Sequence, residues 1–132
     1  MTGARNERAA AMIERWNRVF RVLTAEPRRQ IVVALMEAPP GRELDLPEAA
    51  NPPYLLRDPE DLYADLVHTH LPMLADGGFV EWASDPLRVW RGPAFEEVET
   101  VFAALHASAD QIPPQLTQEC QRLEEARQGR EA

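Results

Sequence analysis

Apolar residues recur at helical spacing along most of this chain, and strict alternation is confined to one short region. Across residues 9–25, Met12, Ile13, Trp16, Val19, Phe20 and Leu23 share one face of a helical wheel, with Arg15, Arg18 and Arg21 opposite. Glu7 and Glu14 lie among those arginines, so that side reads either as a solvated face laced by pairs such as Glu14 with Arg18, or as a nucleic-acid-binding stripe. Trp16 and Phe20, so close to the first residue, ask for a partner surface. A second helix is predicted over 24–38, with Pro27 in its first turn, Ile31, Val32, Leu35 and Met36 as its stripe and Pro39-Pro40-Gly41 as its stop. Residues 43–46 suit a short strand and 47–50 a single helical turn. The bridge 51–57 is proline-broken, with Tyr54, Leu55 and Leu56 available to pin it to the core.

The most clearly signalled element is a helix over 58–76. Asp58 is a good N-cap, Pro59 fits the first helical position, and Glu60 and Asp61 place negative charge where the helix dipole favours it. Leu62, Tyr63, Leu66, Val67, His70, Leu71 and Leu74 form its apolar face, Pro72 predicts a kink near His68, and Gly77-Gly78 supply left-handed residues to end it. Phe79 to Trp82 and Arg88 to Arg91, either side of Ser84-Asp85-Pro86, read as a β-hairpin in which Trp82 and Trp90 stack across the strands. A helix follows over 94–108, carrying Phe95, Val98, Val101, Phe102 and Leu105, and it is expected to pack on the first helix. Beyond Ile112-Pro113-Pro114 only Leu116, Cys120 and Leu123 continue an apolar stripe, which suits a short helix docked on a partner subunit or a frayed tail, mobile past Arg127. The whole reads as a mainly α fold with a small β-hairpin wing: an N-terminal tail at 1–8, one domain at 9–108 with wing 79–91, and a C-terminal extension at 109–132.

Two stretches carry a resemblance. Leu23-Thr-Ala-Glu-Pro-Arg-Arg-Gln-Ile-Val-Val-Ala-Leu35 and His68-Thr-His-Leu-Pro-Met-Leu-Ala-Asp-Gly-Gly-Phe-Val-Glu-Trp82 resemble the winged helix-turn-helix domains of haloarchaea related to ArsR-type transcriptional regulators, over about residues 20–105. The resemblance implies a DNA-binding regulator whose first and last helices flank the domain as a homodimerisation layer, here Met12, Trp16, Phe20, Val98, Val101, Phe102 and Leu105. Two departures are visible: Met73 stands where similar sequences often have Lys, and the 51–57 bridge replaces a short turn.

Composition sharpens this picture. The 132 residues suit one domain with a modest core, and the formal charge is -8. All 14 basic residues are Arg, and an acidic, lysine-free chain is what adaptation to very high salt tends to produce, although a high-GC genome gives the same Arg bias. Residues 1–30 carry seven Arg against three Glu, so the first helix is the basic part. No apolar run is long enough to span a membrane, no signal core is present, and the single Cys120 excludes an internal disulfide; these features suit a cytoplasmic protein.

Candidate chemistry is sparse. On the outward face of the 58–76 helix, Asp61 and Asp65 would repel phosphate, leaving His68 and Thr69 as the side chains to place near bases. Arg88 and Arg91 are the natural wing contacts to phosphate, or else pair with Glu81 or Asp85. Arg28 and Arg29, at the unfavourable end of a helix dipole, call for Glu26, another acid or a phosphate. His68 and His70 are two residues apart and point away from each other on a helix, so they make no metal pair; His70 reads as a core histidine donating to a backbone carbonyl. Nothing argues for an enzyme, a metal or a cofactor. Two functions remain: a homodimeric regulator binding double-stranded DNA, or a winged-helix module without DNA readout whose acidic helix face docks a basic protein.

Overall fold

The computed structural model of the chain describes residues 2–51 and 57–131. The first helix, α1, runs Thr2–Val22, starting well before residue 9 and turning off at Leu23. Next come α2 (Glu26–Glu37), β1 (Leu44–Asp45) and a 3-10 turn (Glu48–Ala50), in the places the sequence patterns assign to a helix, a strand and a single turn. Tyr54, Leu55 and Leu56 lie outside the described residues.

The central rod comprises α3 (Pro59–Asp65), a π-helical turn (Leu66–His70) and α4 (Leu71–Asp76) without interruption. Asp58 caps it as expected, its carboxylate accepting from the Glu60 N–H at 2.9 Å. The irregularity expected from Pro72 takes the form of the π turn, in which the Leu71 N–H reaches the Leu66 carbonyl. Pro72 has no N–H to offer His68 and its ring crowds that carbonyl, so one wider turn just before the proline relieves both problems. Leu62, Leu66, Leu71 and Leu74 point inward and are fully buried, whereas Tyr63 is exposed.

Two strands, β2 (Val80–Ala83) and β3 (Arg88–Arg91), form the hairpin, and β1 adds to β3, giving an antiparallel sheet ordered β1-β3-β2. The register pairs Glu81 with Trp90 and Trp82 with Val89. The two tryptophans are therefore on opposite faces and do not stack; Trp90 instead donates its indole N–H to Glu81 at 2.8 Å. A hairpin one residue out of register exchanges its faces, and spacing alone does not set that register. Helix α5 (Phe95–Ala107) closes the core with Phe95, Val98 and Phe102 against Ile31, Val32 and Leu35 of α2 and the buried Phe79 and Val89. Helices flanking a three-stranded sheet, with the wing after the central rod, make a winged-helix-like arrangement.

The C-terminal segment folds back on its own chain. After a 3-10 turn (Ala109–Gln111), the short α6 (Pro114–Thr117) leads into α7 (Gln121–Glu131), which lies on α2 and α5. Cys120 and Leu123 are buried, and Leu116 is exposed. Polar groups supply what this thin stripe lacks: Arg122 binds Glu37 at 2.7 Å and Gln30 at 3.1 Å, Gln121 meets Gln30, and Arg29 donates to the Glu119 carbonyl. Docking on the own chain replaces the expected alternatives of a partner-bound or frayed tail.

The rod ends through two different glycines. Gly78 is left-handed at φ +76°, but Gly77 keeps a right-handed φ of -80°. A Cβ at Gly77 would stand 2.3 Å from the Phe79 ring, which is itself fully buried and has nowhere to retreat. Gly77 is thus required by close approach and only Gly78 by backbone conformation. We expect Gly77→Ala to lower unfolding free energy by about 1–3 kcal/mol through overpacking, read as a reduced urea midpoint.

Candidate nucleic-acid interface

Among the described residues, Arg57 reaches the outward face of the central rod, which otherwise stands exposed. Asp61, Ala64, Asp65, His68 and Thr69 are all exposed, with His68 and Thr69 side by side on the π turn. The Asp65 carboxylate is held by Arg57 at 2.6 Å, and this bond keeps its pKa below the ordinary range. Sequence reading passed over Arg57; its place just before the Asp58 cap, two turns from Asp65, was the signal available. The acidic face accordingly carries one arginine in direct contact with it.

The inward face is tied to the rest of the fold by buried polar bonds. Arg28 is 4 % exposed, and its guanidinium donates to the carbonyls of Val22 (2.8 Å) and Arg21 (3.2 Å), to Thr24 Oγ1 (2.8 Å) and to His70 Nδ1 (2.8 Å). An arginine only donates, so Nδ1 of His70 accepts and the ring is the neutral tautomer with its proton on Nε2. His70 is a core histidine as expected, but its Nδ1 partner is a cation, not a backbone carbonyl. Burial first, and then the Arg28 charge, lower its pKa below 6.5. Arg28 at the positive end of the α2 dipole is compensated by the carbonyl end of α1, which stops directly beside it. Arg29 does use the expected Glu26, at 2.9 Å, and also donates to the Leu23 carbonyl.

The expected pair of Glu14 with Arg18 forms at 3.2 Å, but Arg15 and Arg18 are only half-exposed and reach across to the end of the rod. Arg15 donates to the Gly77 carbonyl at 3.0 Å, pairs with Glu97 at 2.8 Å and lies over the Phe79 ring; Arg18 pairs with Glu14 and reaches the Asp76 carbonyl at 3.5 Å. The rod ends against α1, and its unsatisfied carbonyls draw these guanidinium groups. The apolar stripe of α1 consequently faces outward: Met12 is 72 %, Ile13 60 %, Trp16 62 % and Phe20 41 % exposed.

The structure divides the candidate residues among separate places. Met12, Trp16 and Phe20 lie on the outer side of α1, while Val98 and Phe102 are buried in the core and Val101 and Leu105 are half-buried against it. Between α1 and α5 runs a groove of about 600 Å³ lined by Met12, Trp16, Val19, Pro93, Thr100 and Val101. Arg88 and Arg91 are three residues apart on β3 and point to opposite faces of the sheet. Arg88 pairs with Glu43 at 2.6 Å, rather than with Glu81 or Asp85, and the pair is open to solvent. Arg91 donates to the carbonyls of Leu35 (2.8 Å) and Ala38 (3.0 Å), lies over the Phe95 ring and faces Glu99 at 3.6 Å. It caps the end of α2.

Among the described residues no group of three His, Cys, Asp or Glu side chains could hold a metal ion, and no helix is long and apolar enough to cross a membrane. Compared with family models, characterised proteins and solved structures, the chain has no match.

The two wing arginines should separate in a stability assay. Removing Arg91 abandons carbonyls at a helix end, and Arg91→Ala is expected to cost about 2–4 kcal/mol. Arg88→Ala removes an exposed pair worth about 0–1 kcal/mol. Urea titrations of both variants at neutral pH measure the difference, and equal losses would contradict the capping role.

Proposed function

We propose that this chain is a homodimeric, winged-helix, DNA-binding transcriptional regulator of ArsR-like type. The observation that carries the reading is the winged-helix-like arrangement itself: a capped rod whose outward face is left unpacked, followed directly by a hairpin. His68 and Thr69 would approach the base edges, and Arg88 would exchange Glu43 for phosphate at little cost, because an exposed ion pair is worth so little. Arg57 is suited to the same exchange from Asp65. Arg91 is left out of this role, since releasing it would uncap α2.

Homodimer formation is supported by α1, whose Met12, Ile13, Trp16 and Phe20 form an exposed apolar stripe on a helix held by its other side. A second copy is the partner implied by the regulator reading. Trp16→Glu is expected to convert a dimer to a monomer in sedimentation velocity while leaving far-UV circular dichroism unchanged; a wild type that is already monomeric at micromolar concentration would remove this part of the proposal.

A second reading, a module that docks a basic protein without reading DNA, is favoured by one observation. The outward face of the rod carries Asp61 and Asp65, and Arg88 is already paired with a carboxylate. Titration of a duplex from upstream of the protein's own gene, and of a scrambled duplex, across a KCl series decides between the two. The regulator reading expects preference for the native duplex and, in Arg88→Ala, weaker binding to both DNAs with a salt slope shallower by about one. No binding to either duplex at any salt by folded protein would favour the docking module.

A further inference from the structure

A buried guanidinium joins the end of α1 to the π turn of the rod, and the joint contains a titratable acceptor. We propose that His70 is an acid-sensitive latch: protonation of its Nδ1 breaks the bond from Arg28 and lets the C-terminal turn of α1 separate from the π turn. The inference stands apart from DNA binding.

The geometry leaves little choice. Arg28 Nη1 lies 2.8 Å from His70 Nδ1, and Arg28 cannot give up its proton to accept in return. A proton on Nδ1 would set N–H against N–H and cation against cation, both buried. The charges on α2 are Glu26, Arg28, Arg29 and Glu37, of which Glu26 is bound to Arg29 and Glu37 to Arg122. On the rod itself His68 is exposed, and Asp65, the nearby carboxylate that would welcome a charged ring, is engaged by Arg57 at 2.6 Å. Arg57, from the segment before α3, opposes the charge as Arg28 does.

The direction in pH follows from this. The folded pKa of His70 lies below its ordinary 6.5, set first by burial and then by Arg28. The closed latch is therefore fully favoured above about pH 6.5 and loses ground as pH falls toward the folded value, because the open form takes up the proton first. Within that window the opening equilibrium changes by about tenfold per pH unit, the signature of a single proton.

Amide hydrogen exchange of the full chain at pH 5.5 and 7.5, corrected for intrinsic rates, tests the latch. The wild type should lose protection in residues 19–24 and 66–71 by up to about tenfold at the lower pH. In His70→Asn the side-chain oxygen stands where Nδ1 stood and takes no proton, so those segments should hold equal protection at both values. His68→Asn and His106→Asn should behave as wild type. A wild type with no such loss, or a His70→Asn variant that keeps it, overturns the proposal. Should His70→Asn fail to fold, a ring-nitrogen NMR titration of the wild type decides instead: a midpoint below 6.5 with the Nε2–H tautomer supports the latch, and a midpoint at or above 6.5 removes it.

Discussion

Arginine seated on the carbonyl end of a helix is the interaction on which this fold depends. Arg28 and Arg29 close the end of α1, at Arg21, Val22 and Leu23; Arg91 closes the end of α2, at Leu35 and Ala38; Arg15 and Arg18 close the end of the rod, at Gly77 and Asp76. Three helix termini thus receive fixed positive charge from neighbouring elements. Each terminus has orphan carbonyls and the negative end of a dipole, and a guanidinium offers several donors in a plane with a weaker hydration shell than an ammonium. Hydrogen bonds to charged groups contribute about 1.5–3 kcal/mol each, more than exposed ion pairs do. A chain that carries 14 Arg and no Lys can use this device repeatedly.

These caps also settle which surfaces stay open. Because α1 is held through Arg15, Arg18, Val19 and Val22, its opposite side, with Trp16 and Phe20, has no partner within the described chain. Because the rod is held through Leu62, Leu66, His70 and Leu74, its acidic side with His68 and Thr69 faces outward. The apolar stripe is suited to protein, and the acidic rod leaves nucleic acid and a basic protein in competition. At an ionic strength near 1 M the Debye length falls to about 3 Å, so direct replacements such as Arg88 moving from Glu43 to phosphate would weigh more than the net charge of -8.

Local signals were legible in the sequence wherever one residue does one local job. Asp58 caps the rod, Gly78 is left-handed, Pro39-Pro40 ends α2, and the two β-rich runs pair as a hairpin. What stayed hidden was the choice of partner for each polar side chain. Arg28 beside Pro27 looked in need of an acid, and only folding brings the end of α1 next to it. Arg91 looked like an exposed wing residue, but the strand places it over the end of α2. The thin stripe of Leu116, Cys120 and Leu123 left a partner-docked helix and a frayed tail both open, because the polar bonds of Arg122 to Gln30 and Glu37 that hold α7 on its own chain leave no apolar pattern. A helical wheel could locate the stripe of α1, but not decide which side of that helix the body would use, since arginine bonded to carbonyls competed there with Trp16.

Polar contacts of two kinds, part-buried or exposed at one place and buried at the other, lie between the two open surfaces. Arg15 and Arg18 bind the last carbonyls of the rod, groups that do not titrate in the physiological range. Arg28 binds the last carbonyls of α1 and the imidazole of His70, which does. A packed core of leucines transmits displacement but responds to no solution variable short of unfolding. Of the contacts between α1, α2 and the rod, the Arg28–His70 bond combines burial, one titratable partner and an irregular turn whose other side presents His68 and Thr69. That bond stands between the root of the apolar stripe, at Val22, and the turn that carries His68 and Thr69 on the exposed face of the rod.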